Sequence, residues 1–378
     1  MRAEHDGLLL VDAGDSFGGR NETEKRKAEV LLRCMSAMRY DACGIGENEL
    51  NFGKNFLLDA SRELKLPFVC ANLVDHGSGK PVAEPYVIKK QGKLKVGIVG
   101  LLDDVLVLPK VEGETGDLVI VDAIETAKKI IPPLKKKVDL VVVLAHVGFA
   151  KSSRLANEVP EIDVMVIGHS PSVSMEARKE GNALLMMGGM KGQYVGYLLL
   201  KYQPGRGVVS YESKLMPLDG RVREQKLVTS IIDEYNAQEK RIREKASRRD
   251  KENALASTGG DRFLGAETCK RCHEEIYKKV AAMPHARAIE SLEKAGKDGL
   301  AECLVCHTTG FGEPTGFSDA GAPVDLKNVQ CEGCHGKGTV HKRDGTYRQV
   351  SEQKCLVCHT AERSPSFNHK SYLRRILH

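Results

Sequence analysis

Four copies of Cys-x-x-Cys-His fall in the last third of this 378-residue chain, at Cys269–His273, Cys303–His307, Cys331–His335 and Cys355–His359. The pattern is the attachment signature of c-type haem. Two thiols take the vinyl groups as thioethers, and the histidine that follows gives the iron an axial nitrogen. Cys269, Cys272 and His273, then Cys303, Cys306 and His307, then Cys331, Cys334 and His335, and finally Cys355, Cys358 and His359 are therefore read as the sites of four covalently bound c-type haems. Zinc is the plain rival, because two CxxC pairs close a tetrahedral thiolate site. Zinc has no use for a histidine in register after every pair, and a disulfide framework asks for no histidine at all. A segment built this way carries little ordinary core, so its haems serve as core and its folding is expected to depend on them.

A chain of this length is expected to hold two or three domains. Its net charge of +6 is spread along the sequence with no block of like charge, which argues against a nucleic-acid partner. No apolar run approaches the roughly 18 residues that would span a bilayer. Of the 11 cysteines, only Cys34, Cys43 and Cys70 lie outside the motifs; their apolar surroundings mark them as small core residues. Covalent haem attachment takes place outside the cytoplasmic membrane, so a periplasmic or extracellular location is expected. The start, Met1-Arg-Ala-Glu-His-Asp, does not read as a signal peptide, which is expected upstream.

Residues 1–220 alternate strand and helix patterns. Gly7–Val11 reads as a short strand running into the turn Asp12-Ala-Gly-Asp15, and Glu22–Arg39 as a helix with Ala28, Leu31, Leu32 and Met35 on one face. Apolar runs follow at Pro67–Val74, Leu94–Leu102, Asp139–Leu144, Asp163–Ile167 and Ala183–Met187, and Tyr194–Tyr202 with Gly207–Leu215 reads as a hairpin across Pro204-Gly205. Such alternation predicts an α/β domain with buried sheets. Residues 221–261 read as a charged helical linker, with Val228, Ile231, Ile232 and Tyr235 as an apolar stripe and a break at Ala256-Ser-Thr-Gly-Gly-Asp261. From 262 to 378 the texture is loop-rich and mainly helical around the CxxCH copies.

The N-terminal motifs resemble those of the calcineurin-like metallophosphoesterases, in particular the 5'-nucleotidase branch. They are Leu8-Leu-Leu-Val-Asp-Ala-Gly-Asp15-Ser-Phe-Gly-Gly, Gly46-Glu-Asn-Glu-Leu-Asn-Phe-Gly53, Leu144-Ala-His146-Val-Gly and Ile162-Asp-Val-Met-Val-Ile-Gly-His169-Ser, followed by the glycine-rich Gly188–Gly196. The resemblance covers about residues 7–220 and implies an αββα sandwich and hydrolysis of phosphate esters at two divalent ions, with a carboxylate bridging them. It implies Asp15 as the bridging aspartate and His146 and His169 as imidazole ligands. Glu47 stands where the family has a ligand asparagine and can still bind a metal such as manganese, zinc or iron. Three departures point to a degenerate or re-purposed site. The family's opening Asp-x-His strand would precede this sequence, Asn48 replaces the histidine that polarises the leaving group, and Pro171 occupies the last ligand position.

The C-terminal motifs resemble the tetrahaem cytochrome c-554 family and its relatives. The resemblance rests on Cys303-Leu-Val-Cys-His-Thr-Thr-Gly-Phe-Gly, Asn328-Val-Gln-Cys-Glu-Gly-Cys-His-Gly-Lys-Gly-Thr-Val-His341, and Cys355-Leu-Val-Cys-His-Thr with Ser364-Pro-Ser-Phe-Asn-His-Lys-Ser-Tyr372. Outside its motifs this segment has four histidines, His285, His341, His369 and His378, and one methionine, Met283. Most irons must then be bis-histidine or five-coordinate, which points to low potentials. The family pattern implies His285, His341 and His378 as distal ligands. His369, in an exposed-looking Asn-His-Lys setting, reads as a surface residue or a cap on the remaining iron, with an open iron favoured.

These readings describe an exported electron-transfer protein, an αββα sandwich followed by a multihaem cytochrome c domain. Its partners are expected to be redox proteins or quinol-linked carriers. Two rivals stand beside this reading. One is a bifunctional phosphoesterase acting on nucleotides; the other is a haem enzyme acting on a small nitrogen or sulfur compound at a five-coordinate iron.

Overall fold

The computed structural model describes residues 7–114, 117–170, 172–256, 261–313, 315–318, 325–346 and 349–376. Pro171, His378 and the break after Ala256 lie outside the described residues. The chain divides into two compact units at Ile231/Ile232.

The first unit opens with β1 (Val11–Asp12), α1 (Glu22–Met38), β2 (Ala42–Gly44), α2 (Lys54–Leu64), β3 (Phe68–Val69), β4 (Leu73–Asp75), β5 (Tyr86–Gln91), β6 (Leu94–Leu102) and β7 (Leu118–Ile120). It continues with α3 (Ala123–Lys135), β8 (Leu140–His146), α4 (Gly148–Glu158), β9 (Val164–Ile167), β10 (Arg178–Glu180), β11 (Ala183–Met186), β12 (Tyr194–Gln203) and β13 (Gly207–Pro217). The long helix α5 (Lys226–Ala256) crosses the division.

Strands β1, β2 and β3 form a parallel three-stranded sheet, and the order β10-β11-β9-β8-β6-β5 forms a six-stranded one, parallel within and antiparallel at both edges. Strand β8 shows why the two stack. Its Val141, Val143 and Ala145 face one way, into a core shared with Ile131 of α3 and Leu155 of α4. Its Leu140 and Leu144 face the other way, onto Ala42 and Val69 of the smaller sheet. A strand buried on both faces reads as a continuous apolar run because neither side meets water. Helices α1 and α2 close the far side through Ala28, Leu32, Met35 and Leu57 against Cys43 and Phe68. The result is four layers, helix–sheet–sheet–helix, as the sequence implied. Cys34, Cys43 and Cys70 are buried free thiols in this core.

The two sheets approach closely at Gly100, where a Cβ would sit 1.9 Å from the Val69 carbonyl oxygen and the glycine's own carbonyl accepts the Ala71 N–H at 2.8 Å. Helix α1 starts where the Asn21 side chain accepts the Glu24 N–H, with Glu22 and Glu24 at the positive end of the helix dipole. It stops at Arg39, whose backbone is left-handed.

Three expectations need correction. The strand expected at Gly7–Val11 contracts to Val11–Asp12. The run Pro67–Val74 splits into β3 and β4, which belong to different sheets. The split centres on Asn72, a buried side chain that donates to the Leu102 and Val121 carbonyls and accepts the Leu102 N–H. On α5, Ile231 and Tyr235 are buried but Ile232 is exposed, so the apolar stripe is narrower than the sequence suggested.

The second unit contains short helices joined by loops: α6 (Ala266–Lys270), α7 (Glu274–Ala281), α8 (Ala288–Lys294), α9 (Ala301–His307), α10 (Cys331–His335), α11 (Thr339–Asp344), α12 (Glu352–Leu356) and α13 (His369–Ile376). Its apolar cluster among the described residues is small, Ile289, Leu292 and Leu304 with Cys303, Phe311 and Phe317 packed against them. Lys240 of α5 pairs with Asp298 at 2.6 Å, and Arg243 donates to the Asp298 carbonyl, so the second half of the helix belongs to this unit. No helix among the described residues is long and apolar enough to cross a membrane.

Candidate functional sites

In open α/β sheets the carboxyl ends of parallel strands leave backbone groups and loops converging on one crevice. That is where the first cluster lies. Asp15 follows β1, Glu47 follows β2, His146 ends β8, and His169 follows β9. One potential ligand atom from each of these four lies within 4.8 Å of the other three. His146 is fully buried, Asp15 and Glu47 partly so, and His169 is exposed. Residues from four separate sequence motifs thus meet in one place.

Local geometry aims the donors. The His146 Nδ1–H donates to the Ala13 carbonyl at 2.8 Å, which leaves Nε2 turned into the cluster, 3.2 Å from Glu47 Oε2 and 3.5 Å from Asp15 Oδ2. His169 Nδ1 lies 3.6 Å from Glu47 Oε1. Both Asp15 (φ 63°) and His169 (φ 52°) hold left-handed backbones, a strain of about 1–3 kcal/mol each that surrounding contacts must sustain. Gly168 lets the His169 loop pass, since a Cβ there would come 2.7 Å from His146 Nδ1.

Sequence reasoning missed Glu49. Its buried carboxylate accepts the N–H groups of Asp15 (2.7 Å), Ser16 (2.6 Å) and Gly46 (2.7 Å), tying the loop after β1 to the turn after β2. Burial, with the nearby Asp12 charge, pushes its carboxyl up to about 7 against the bonds from the Asp15 and Gly46 N–H groups. Burial opposes protonation of His146 as well, but the neighbouring Asp15 carboxylate outweighs it and pushes the imidazole up to about 9. Burial likewise opposes ionisation of Asp15, yet the nearby His146 imidazole and the bond from the Asn48 N–H hold its carboxyl below the usual range.

The donor set suits a divalent cation. Glu47 Oε2 and His146 Nε2 are buried atoms with no hydrogen-bond partner, an arrangement costly in an interior that supplies nothing positive between them. Two imidazoles and two carboxylates are ligands for zinc, manganese or iron. Asn48 is placed differently. Its backbone N–H donates to Asp15 Oδ1 at 3.0 Å, while its side-chain oxygen accepts from Asn51 at 3.2 Å. Asn51 in turn donates to the Gly18 carbonyl and accepts from Arg20.

The second cluster is the set of CxxCH motifs. Helices α9 and α10 contain whole motifs, while α6 carries Cys269 and α12 carries Cys355. Residues at i, i+3 and i+4 share one helical face, which is what two thioethers and an axial imidazole on one haem require. Thiols of different motifs also influence one another. Cys331 raises the pKa of the Cys269 thiol, and burial together with the neighbouring Cys306 raises that of Cys358.

The imidazoles are paired as well. The rings of His273 and His341 are 5.9 Å apart with planes 25° from parallel, and those of His285 and His359 are 6.2 Å apart at 76°. Imidazole–metal bonds are about 2 Å long, so each gap admits one metal with a ring nitrogen on either side. Outer partners hold several rings by Nδ1: His341 to the Thr346 carbonyl at 2.7 Å, His307 to the Ala288 carbonyl at 2.6 Å, and His359 to Ser364 Oγ at 3.1 Å. That leaves Nε2 as the nitrogen able to take a metal. Burial, and the neighbouring His359, disfavour protonation of His285. His369, read from sequence as either a surface residue or a cap, is partly buried at the start of α13, and its Nε2 is a buried atom without a hydrogen-bond partner.

Residues 268–336 match the family model described as cytochrome c554 and c-prime. The N-terminal part is 31% identical over 220 residues to the 2',3'-cyclic-nucleotide 2'-phosphodiesterase/3'-nucleotidase of Haemophilus influenzae, taking in 50% of this chain and 34% of that protein. It is 28% identical over 262 residues to the human 5'-nucleotidase, taking in 62% of this chain and 45% of that protein. The alignments span less than half the length of these curated relatives. Among solved structures, a 5'-nucleotidase precursor from Thermus thermophilus superposes with a TM-score of 0.55 at 22% identity over 62% of this chain and 50% of that one. The calcineurin-like phosphoesterase YfkN from Bacillus subtilis does so at 0.53 and 23% identity over 63% and 85%. These likenesses show the fold of the first unit.

Proposed function

We propose that this chain, a fusion of a 5'-nucleotidase-like metallophosphoesterase domain with a cytochrome c554-type domain, is an exported electron-transfer protein that carries four covalent c-type haems. The observation that carries the reading is the geometry of the second unit, where two imidazole pairs stand with ring centres 5.9 and 6.2 Å apart, beside CxxCH thiols that perturb one another across motifs. Haem iron, when bound, supplies a one-electron couple whose potential the ligands and surroundings set. The residues bind and orient it. The mutual influence of Cys269 and Cys331, and of Cys306 and Cys358, supports neighbouring first and third attachment sites and likewise second and fourth. Electrons can then pass within each pair without leaving the protein.

His341 opposite His273, and His285 opposite His359, are read as two axial sets. Partners of the kind that exchange single electrons, soluble redox proteins or quinol-linked carriers, follow from that chemistry. The fold's nucleotidase relatives and the haem chemistry support a periplasmic or extracellular location. The domains are read as 1–220, a helical linker at 221–261, and 262–378.

Protein from a host with c-type maturation should weigh about four haems more than its polypeptide and keep its colour after denaturation, because thioethers survive unfolding. Zinc by elemental analysis with no haem absorbance would sink the reading.

His369 gives a second measurement. A buried, unpartnered Nε2 supports a role as an iron ligand over the open position favoured by sequence. Electron paramagnetic resonance of the ferric protein should show only low-spin haem, and His369→Ala should turn about a quarter of the iron high-spin. A high-spin quarter already present in the unaltered protein, and untouched by the substitution, would instead favour the small-molecule haem enzyme.

The four-donor cluster of the first unit favours a second, lesser reading as a metal-dependent phosphoesterase. A divalent cation held by Asp15, Glu47, His146 and His169 supplies Lewis-acid charge at a phosphoryl oxygen. Glu49 holds the Asp15 loop in place for that role, while Asn48 brings no acid.

A further inference from the structure

Most charged side chains of the second unit are solvated, but Glu332 is buried at 3% exposure, inside the third CxxCH motif directly after Cys331. Its carboxylate accepts four bonds from three backbone N–H groups. Leu264 donates to both oxygens at 2.9 Å, Gly265 to Oε2 at 2.8 Å and Gly338 to Oε1 at 2.7 Å. Each donor sits at a junction. Leu264 and Gly265 enter α6, the helix of the first motif, and Gly338 is the residue from which α11, the helix of His341, begins. Thr339 reinforces the same junction, since its hydroxyl accepts the Arg262 N–H at 3.1 Å and donates to the Arg262 carbonyl at 2.9 Å.

We propose that Glu332 is a positioning residue for the haem of the first motif: an enclosed carboxylate that fixes His341 opposite His273 and places a permanent negative charge beside the first and third attachment sites. The inference rests on the haem reading above. Both oxygens receive N–H donors, and a carboxylate that only accepts satisfies all of them, whereas a protonated carboxyl would turn an O–H toward N–H groups. Two junctions, at Leu264–Gly265 and at Gly338, depend on that one group, so its loss frees α11 to shift relative to α6 and with it the distal imidazole. A negative charge enclosed near an iron favours the ferric state, because burial leaves little water to screen it. Gly338 has no room to change, since a Cβ there would lie 2.9 Å from Glu332 Oε1.

The test uses the whole haem-loaded chain and two variants, with mass, potentiometric titration and paramagnetic resonance as readouts. Glu332→Gln keeps shape and removes charge. All four haems should stay attached, one or two of the four couples should shift upward so that the oxidised-to-reduced ratio at fixed potential changes at least about tenfold, or about 59 mV, and one low-spin signal should broaden or turn high-spin. Glu332→Asp should restore the lower potential. Gly338→Ala keeps the charge and pushes the carboxylate off its N–H donor, so it should disturb the same low-spin signal alone. If Glu332→Gln does not accumulate with haem, Gly338→Ala decides. An undisturbed spectrum in Gly338→Ala, or unchanged potentials in a folded Glu332→Gln, overturns the proposal. Absence of haem from the unaltered protein overturns the haem reading itself, and is seen first, by mass.

Discussion

Made without haem attachment, the chain is expected to yield a folded first unit and an unfolded segment from about residue 262 onward. The first unit has three apolar clusters that fill the spaces between four layers. The second has one, centred on Ile289, Leu292 and Leu304. A fully buried Leu or Ile contributes about 1.5–3 kcal/mol, and three of them cannot order so many short helices joined by loops. In a domain of this kind binding energy is folding energy, as it is for small metal-dependent domains. Trypsin should cut the haem-free protein throughout 262–378, where Lys and Arg number 18, and leave the first unit protected. Haem-loaded protein should resist. Equal resistance and equal helical circular dichroism in both forms would show that the polypeptide alone supplies the core.

The elements best read from sequence were those whose identity is local. Strand β6 matches the run Leu94–Leu102 residue for residue, because burial on both faces from Val96 onward leaves no polar interruption there. The CxxCH motifs were legible for the same reason, as each carries its chemistry within a few residues, whereas the four residues of the first cluster were named from the resemblance of motifs far apart in the chain. What escaped was set by partners far along the chain. Asn72 diverts the run Pro67–Val74 into two sheets by bonding to Leu102 and Val121, which no local pattern announces. Glu49 reaches Asp15 across 34 residues, and Glu332 reaches Leu264 across 68. Each is a buried carboxylate that closes on backbone N–H groups, so its meaning depends on which loops the fold brings to it. His369 stayed open between surface and cap for a related reason. Its polar neighbours Asn368 and Lys370 are exposed, but its own ring nitrogen turns inward from the first turn of α13.

Hydrolysis of AMP by the intact chain is expected to stay well below about 1 s⁻¹, even with manganese, although manganese should bind. The two outcomes separate because binding and turnover use different groups. Binding needs the convergent donors of Asp15, Glu47, His146 and His169, which the fold supplies with two buried atoms lacking any other partner. Calorimetry should detect saturable manganese binding that Asp15→Asn weakens by at least about tenfold, the scale on which even outer partners of a metal matter. Turnover also needs a proton for the leaving group, a contribution of about 10²–10⁴ in rate from a well-placed acid. Asn48 cannot give one. Its amide does not titrate, and its side-chain oxygen is occupied by Asn51, which is itself held by Gly18 and Arg20. Asn48→His should therefore raise hydrolysis by about 10² or more without changing manganese affinity. Turnover of about 1 s⁻¹ or faster in the unaltered chain, lost on Asp15→Asn, would make the first unit a working phosphoesterase and remove the reason for treating Asn48 as the missing acid.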